Sequence, residues 1–142
     1  FGDRVRPFGL ALSDSAGSAE LHLSPTSTGL SSLVVDTAPC ADALRASGTS
    51  VTVRTQRFDD WIRDTALDHI DLVKIDVEGA EDRVLDGMRE SLAAGRIARV
   101  VCETNIGSVA HQILIAHGYT ATPLDSHVVV GNYAYEKTRS PS

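Results

Sequence analysis

Acidic residues stand at the ends of two apolar segments in the second half of the chain. Asp76 and Glu78 close the first segment, and Glu103 and Asn105 close the second. In open α/β sheets, ligands bind beyond the carboxyl ends of the strands. If the two segments are neighbouring strands, their carboxylates converge on one edge. There they could share a proton, hold a cation or accept a proton from a substrate hydroxyl.

A structural role competes with this interpretation for several of the same residues. Asp76, Glu78 and Glu81 surround the start of a predicted helix near Gly79, where negative charge stabilises the positive end of the helix dipole. Lys74 interrupts the first apolar segment and shares a strand face with Asp76, because alternate residues of a strand point the same way. A partly buried lysine needs a partner. Lys74 is therefore a proton acceptor or orienting charge in the site, or one half of a structural ion pair.

Other catalytic and metal-binding patterns are missing from the sequence. It contains no HxxxH or CxxC spacing, no GxSxG elbow and only a fragment of a calcium loop. No two of its glycines lie closer than seven positions apart, so it also lacks the Gly-rich turn that usually cradles a dinucleotide. We predict no dedicated metal site. A carboxylate-based metal hydrolase is a further alternative, although the usual histidine ligands are missing.

The second half of the chain alternates between strand and helix patterns. Residues 71–77 and 97–102 are apolar with little alternation, which predicts strands buried on both faces. Residues 79–94 carry an apolar stripe and form a predicted helix. Gly87 costs this helix about 1 kcal/mol relative to alanine, which a close approach to a sheet would explain. Asp59 is predicted to cap a short helix, residues 106–114 an amphipathic helix, and residues 119–124 and 128–136 closing strands.

The first half of the chain carries short strand patterns separated by small polar residues. We predict strands at residues 6–13, 19–23, 33–35 and 50–55, arranged as an antiparallel meander, with a loop at residues 24–32. Residues 39–48 are Ala-rich and fit neither pattern well. The whole order predicts an α/β domain with a mainly parallel sheet. We divide it into a strand-rich part at residues 1–57, an α/β part at 58–137 and a polar tail at 138–142.

The composition narrows the class of protein. The chain has 142 residues, 42% of them hydrophobic, and a formal net charge of −6, which indicates one globular domain. Its basic residues are scattered, so we predict no nucleic-acid partner, and no apolar run is long enough for a membrane span. Two cysteines cannot form a disulfide framework. Cys102 lies in an apolar run, which favours a buried, reduced thiol and a cytoplasmic location.

The segment D-L-V-K-I-D-V-E-G-A-E at residues 71–81 resembles the hallmark of the FkbM family of methyltransferases, K-I-D-x-E-G-x-E. Other pieces agree in order. A-L-S-D at residues 11–14, followed by G-S-A-E-L at 17–21, is similar to the family's A-L-S-D…G…A-x-L stretch, and S-S-L at 31–33 matches its small-residue loop. V-L-D-G at residues 84–87 resembles its V-L-x-G, and residues 100–103 match its following strand. F-D-D at residues 58–60 replaces the usual L-D-D. The resemblance covers about residues 10–137.

The resemblance implies a class I, Rossmann-like fold with a small antiparallel β insertion. It implies S-adenosylmethionine as methyl donor and a hydroxyl of a sugar, polysaccharide or natural product as acceptor. A carboxylate would take the hydroxyl proton. A bound divalent cation would offer another way to acidify the hydroxyl, but we do not expect one. The implied site comprises catalytic residues Asp76, Glu78 and Lys74, cofactor-binding residues Ser13, Asp14 and Asp76, and acceptor-binding residues Glu81, Glu103 and Asn105.

One part of the family pattern has no counterpart in this sequence. The family's first strand, glycine turn and ribose-binding acidic residue all precede residue 10, and residues 1–9 cannot hold the roughly 30 residues of such a βαβ unit. The chain also begins with Phe1 rather than Met. We therefore expect a fold truncated at its N-terminus, inactive by itself, with a bare strand edge at residues 71–77. The alternative is a non-catalytic module that docks on a partner through that edge. Otherwise the expected partner is a small-molecule or glycan acceptor, with no membrane association, and the oligomeric state is left open.

Overall fold

A computed structural model describes residues 4–36, 38, 40–125 and 131–138. The predicted tail at 138–142, apart from residue 138, and the first part of the predicted strand 128–136 lie outside these residues. The strands are β1 (Ala11–Leu12), β2 (Gly17–His22), β3 (Ser50–Gln56), β4 (Val73–Ile75), β5 (Arg99–Thr104), β6 (Tyr119–Pro123) and β7 (Gly131–Lys137). The helices are α1 (Ala41–Ser47), α2 (Phe58–Arg63), α3 (Glu81–Asp86), α4 (Arg89–Ala93) and α5 (Val109–Ala116), with a 3-10 turn at Thr28–Leu30.

The first sheet holds the first half of the chain in the strand order β1-β3-β2. β2 and β3 form an antiparallel ladder, and the Ser50 and Thr52 hydroxyls of β3 donate to the Glu20 carboxylate of β2 at 2.7 and 2.6 Å. β1 pairs with β3 in parallel, so the predicted antiparallel meander is correct only for β2 and β3. The predicted strand at 33–35 is wrong. Residues 33–35 form no strand, and the preceding residue, Ser32, makes an isolated bridge with His22.

The second sheet has the order β4-β5-β7-β6. β4 and β5 are parallel, whereas β7 pairs antiparallel with both β5 and β6. The prediction of a mainly parallel sheet is therefore wrong for the described strands, although the mixed α/β class is correct. The physical reason is that β6 and β7 are consecutive strands that run in opposite directions. β7 inserts between β6 and β5 instead of following a helical crossover.

Side chains of the second sheet alternate between two faces. One face belongs to the main apolar core, into which α3, α4 and α5 also pack. The sheet contributes Ile75, Val100, Cys102, Tyr133 and Tyr135 to that core. The other face carries Lys74, Val101, Glu103, Asn132 and Ala134, all half-buried or exposed. β4 and β5 are thus buried on one face only, and the prediction of burial on both faces is wrong.

The predicted helix at 79–94 is divided into α3 and α4 at Gly87 and Met88. A side chain at Gly87 would overlap the carbonyl oxygen of Ser13, just after β1, and lie 3.1 Å from its carbonyl carbon. The predicted close approach is therefore confirmed, with the backbone after β1 as the neighbour. Only glycine leaves room for this contact. Gly87 therefore allows the backbone after β1 to pack directly against the helical segment.

Asp59 divides the helical segment at the same point. In one continuous helix, the Ser91 N–H would donate to the Gly87 carbonyl. Here the N–H groups of Glu90 and Ser91 donate to the Asp59 carboxylate, each at 2.9 Å, and the Gly87 carbonyl accepts from the Asp59 N–H at 2.9 Å. Asp59 therefore caps α4 from a distance. The prediction that it caps its own helix is wrong, since α2 begins at Phe58.

Two further sequence predictions concern helices. α5 confirms the amphipathic helix, and the Ser108 hydroxyl caps it by accepting from the His111 N–H at 3.0 Å. The ambiguous segment 39–48 contains α1, which ends at Gly48 with a φ of 60°.

Both cysteines are free, and Cys102 is fully buried as predicted. Burial raises the pKa of the Cys102 thiol to about 12, so it is an inert part of the core. Among the described residues, no helix has the length and apolar character needed to cross a bilayer. The cytoplasmic location stays a prediction.

Candidate functional site

The loop after β4 has a strained backbone that is fastened on both sides. Glu78 has a φ of 53° and Gly79 a φ of 97°, so two successive residues adopt left-handed conformations. The Ser32 hydroxyl donates to the Glu78 carbonyl at 2.7 Å. On the other side, the Glu81 carboxylate accepts from the N–H groups of Val77 and Gly79 at 3.3 and 3.2 Å. Strain of this kind persists only where surrounding contacts enforce it, and it is concentrated at functional sites.

Three carboxylates meet at this edge of the sheet. Oxygen atoms of Asp76, Glu78 and Glu103 all lie within 4.8 Å of one another. The cause is the parallel pairing of β4 with β5, in which Ile75 lies opposite Cys102. The next residues along the two strands, Asp76 and Glu103, are therefore neighbours. The predicted convergence of the two strand ends is confirmed.

The carboxylates differ in how readily they hold a proton. The hydrogen bond between Asp76 and Glu103 raises the pKa of Glu103, and burial and the nearby charge of Asp76 act in the same direction. The same bond lowers the pKa of Asp76, and Lys74 lowers it further. Burial is the main cause that raises the pKa of Glu78, and repulsion from Asp76 and Glu81 raises it further. Within the pair, Glu103 therefore loses its proton less readily than Asp76.

Lys74 connects this pair to the neighbouring strand β7. Its Nζ lies 3.2 Å from the Asp76 carboxylate and donates to the Asn132 Oδ1 at 2.7 Å. The predicted pairing of Lys74 with Asp76 is confirmed, although the Lys74 side chain is 45% exposed and not enclosed in the sheet. An ammonium group that donates in two directions acts as an orienting charge. It has no lone pair with which to accept a proton.

Sequence reasoning missed Asn132 and Asp125. The Asn132 backbone N–H donates to the Asp125 carboxylate at 3.0 Å, and its side-chain amide donates to the same oxygen at 3.4 Å. These bonds orient the amide so that its oxygen faces Lys74. The available signal was the alternation in β7, where Asn132 stands next to Tyr133 on the face opposite to the core. That pattern marks an outward polar residue, but it does not reveal the partner.

A cavity of about 410 Å³ lies between β1 and β4, directly beside the carboxylates. Leu10 and Leu12 line one side, and Val73 and Val77 line the other. Polar lining comes from Lys74, Asp76 and Glu78. The site is therefore an apolar pocket with charged groups concentrated at the end of β4, as is usual for small-molecule sites.

The remaining predicted residues lie elsewhere. Ser13 is 7% exposed, its hydroxyl donates to Asp14 at 3.1 Å, and neither residue lines the cavity. Glu81 uses one carboxylate oxygen to fasten the loop after β4. Asn105 begins the turn into α5, where its carbonyl accepts from the Ser108 N–H at 3.2 Å. The roles of these four residues in binding a cofactor or acceptor stay predictions.

The donor atoms present decide which groups the site could hold. Carboxylate oxygens are the ligands that Mg²⁺ and Ca²⁺ prefer, and the three convergent carboxylates would supply half of an octahedral shell. The same negative charge suits a cationic organic group, while the apolar side of the cavity suits its carbon skeleton. S-adenosylmethionine combines both features in its sulfonium centre and its adenosyl group, so the residues present fit that part of the molecule.

Two comparisons relate the chain to known methyltransferases. Over 46 residues the chain is 44% identical to "2-O-methyltransferase NoeI" of Sinorhizobium fredii strain NBRC 101917 / NGR234, which covers 32% of this chain. The match spans 19% of that relative's length. No solved structure matches significantly. The family model described as "Methyltransferase FkbM domain" matches residues 4–119, well over half of the chain, and the chain therefore belongs to the FkbM methyltransferase family.

Proposed function

We propose that the protein containing this chain is an S-adenosylmethionine-dependent O-methyltransferase, with Asp76 as the base that takes the proton of an acceptor hydroxyl. The observation that carries the proposal is the convergence of Asp76, Glu78 and Glu103, whose oxygen atoms lie within 4.8 Å of one another beside an apolar cavity that Asp76 and Glu78 line. An ionised carboxylate held in place beside a cavity is suited to general base chemistry.

The donor, when bound, supplies an electrophilic methyl group on a cationic sulfonium. The chain's own residues align the acceptor and receive its proton. Alignment of two reactants in one cavity removes several kcal/mol from a barrier. Apolar residues of β1 and β4 line the cavity beside Asp76 and suit the carbon skeleton of a bound reactant.

Lys74 and Glu103 hold Asp76 in its reactive form. The hydrogen bond with Glu103 favours the ionised form of the Asp76 carboxylate from one side, and Lys74 favours it from the other at 3.2 Å. Glu78 has a raised pKa, which makes it a second group able to receive a proton. We therefore assign Lys74 a positioning role in the predicted catalytic set of Asp76, Glu78 and Lys74.

The acceptor is proposed to be a hydroxyl of a sugar, polysaccharide or natural product. The printed name of the relative, a 2-O-methyltransferase, supports transfer to oxygen. The acidic residues at the rim support an acceptor rich in hydroxyl groups, since carboxylates accept the hydrogen bonds that hydroxyls donate.

The test is methyl transfer by the intact protein from radiolabelled S-adenosylmethionine to a panel of glycans. Replacement of Asp76 with Asn should lower kcat by about 100-fold or more, the usual contribution of a general base. Asp71→Asn is the matched control, because Asp71 lies on the same segment but its side chain is 90% exposed. Normal turnover of the Asp76 variant would remove Asp76 as the base. Loss of activity with a chelator would show that a cation acidifies the hydroxyl instead.

A second candidate function is a non-catalytic binding module. It is favoured by the outer edge of β4, which no described strand pairs with, because a free edge can accept a strand from a partner. Calorimetric titration of the chain with S-adenosylmethionine separates the two candidates. Binding of S-adenosylmethionine supports the methyltransferase. Absence of S-adenosylmethionine binding by the intact protein supports the non-catalytic binding module.

A further inference from the structure

A second groove lies apart from the carboxylates, between the N-terminal segment and the end of α2. Its volume is about 610 Å³, larger than that of the cavity beside Asp76. The proposed methyl transfer does not use any of its residues. We call it the arginine groove, and its characteristic residues are Arg4, Arg6, Phe8, Trp61, Asp64 and Leu67.

Aromatic rings form one wall of the arginine groove. Trp61 is anchored on its inner side by the buried Phe58, with ring centroids 5.6 Å apart. Trp61 also meets Phe8 edge-on, at 5.5 Å and an interplanar angle of 87°. Phe8 and Leu67 are each 47% exposed. A rigid, partly exposed aromatic wall is a surface on which a ring-shaped ligand can stack.

Cationic groups form the opposite part of the groove. Arg4 and Arg6 have no carboxylate within ion-pair distance among the described residues, whereas Arg45 and Arg89, for example, each pair with an aspartate. The Arg6 guanidinium lies 5.6 Å from the centre of the Phe8 ring, so it is held near the aromatic wall. What distinguishes Arg4 and Arg6 is that both line the same groove as the aromatic wall. Asp64 is the acidic group among the lining residues and restricts where an anion can sit.

We propose that the arginine groove binds a phosphate ester of a ring compound. The ring stacks on Trp61 and Phe8, and the phosphate accepts hydrogen bonds from Arg4 and Arg6, whose planar donor groups match phosphate oxygens. The same chemistry is offered by a sugar phosphate and by a nucleotide. This site is additional to the proposed methyl transfer and does not depend on it.

Trp61 provides a direct measurement, because it is the single tryptophan of the chain. The chain is titrated with glucose 6-phosphate, with AMP, with glucose and with inorganic phosphate, and Trp61 fluorescence is followed with excitation at the red edge of its absorption. We expect saturable changes with one or both ring phosphates, and binding about tenfold weaker or more for glucose and for inorganic phosphate.

Variants assign the signal to the two arginines. The double variant Arg4→Ala, Arg6→Ala should lose about tenfold or more in affinity, because each charge-assisted hydrogen bond carries that much binding energy. Arg83→Ala is the control, since Arg83 is an exposed residue of α3 and should leave binding unchanged. Circular dichroism checks that every variant keeps its fold.

Each outcome bears on the proposal. A response to glucose 6-phosphate alone identifies a sugar phosphate, a response to AMP alone identifies a nucleotide, and a response to both supports the shared chemistry. Equal binding of inorganic phosphate would overturn the role of the rings. The absence of a Trp61 fluorescence change with all four compounds would overturn the proposed site. Concentration-dependent self-association of the chain would then identify the exposed apolar residues as a protein contact. Unchanged affinity in the double variant would overturn the role of the arginines.

Discussion

Gly87→Ala is a substitution for which two physical effects predict opposite signs. In a helical segment, alanine is favoured over glycine by about 1 kcal/mol, and it restricts the unfolded chain, which adds to stability. In this fold, however, the new methyl group would overlap the Ser13 carbonyl oxygen and lie 3.3 Å from the Val84 carbonyl oxygen. The neighbours cannot move away easily. The Gly87 N–H donates to the Arg83 backbone carbonyl at 3.1 Å, and the Gly87 carbonyl accepts from the Asp59 backbone N–H at 2.9 Å.

The size of the effect follows from these two terms. Overpacking of a fixed site costs roughly 1–3 kcal/mol, and backbone atoms give way less than side chains. We therefore take the upper end of that range, about 3 kcal/mol. After subtraction of the gain of about 1 kcal/mol from helix propensity, we expect Gly87→Ala to lower the free energy of unfolding by about 2 kcal/mol. For a domain of this size that corresponds to a melting temperature lower by roughly 4–10 °C.

Urea unfolding followed by circular dichroism measures this difference. Gly9→Ala is the matched control, because a methyl group at Gly9 would meet nothing within 4 Å. It should leave the free energy of unfolding within about 0.5 kcal/mol of the parent chain. If Gly87→Ala proves as stable as Gly9→Ala, the contact between Ser13 and the helical segment is not a fixed part of the fold, and the reasoning fails.

Three further predictions concern Asp59, Glu103 and Lys74. Asp59→Ala should cost about 3 kcal/mol in urea unfolding, since it leaves buried N–H groups of α4 without the carboxylate that accepts from them. The raised pKa of Glu103 means that its protonated form stabilises the fold below about pH 4.5 and that this contribution is lost as pH rises through the raised value. Glu103→Gln, which stays neutral, should therefore gain stability relative to the parent as the pH rises above 4.5. Asn132→Leu should raise the rate of Lys74 acetylation several-fold, because it removes an acceptor that holds the ammonium group.

Each of these predictions has its own control. Asp42→Ala changes a fully exposed carboxylate and should have little effect on unfolding. A difference between Glu103→Gln and the parent that does not vary with pH would show that Glu103 is not the protonated partner. Mass spectrometry separates the two lysines of the chain. Lys137 donates to the Leu92 and His117 carbonyls, so its rate should stay constant. An equal increase in the acetylation rates of both lysines would indicate a general loosening of the fold. An unchanged acetylation rate of Lys74 would show that Asn132 does not hold its ammonium group.

Contacts set by local rules could be predicted from the sequence. Asp76 and Glu103 each end a strand in an alternating α/β pattern, and parallel strands present their carboxyl ends at one edge, so their convergence needed no further information. The Lys74–Asp76 pair followed from the two-residue repeat of a strand. Gly87 was recognised as a residue that needs a packing reason, and the structure supplies one in Ser13.

Contacts that depend on pairing between distant segments could not be predicted in this way. Asp59 lies 31 positions before Glu90, and a capping rule that looks only at adjacent residues assigns its carboxylate to the wrong helix. Asn132 reaches Lys74 because β7 inserts antiparallel next to β5, and the sequence contains no feature that fixes that insertion. The two cases differ in their sensitivity to substitution. Lys74 keeps Asp76 as a partner when Asn132 is replaced, whereas the Glu90 and Ser91 N–H groups donate to the Asp59 carboxylate in place of a regular backbone acceptor and lose that acceptor when Asp59 is replaced.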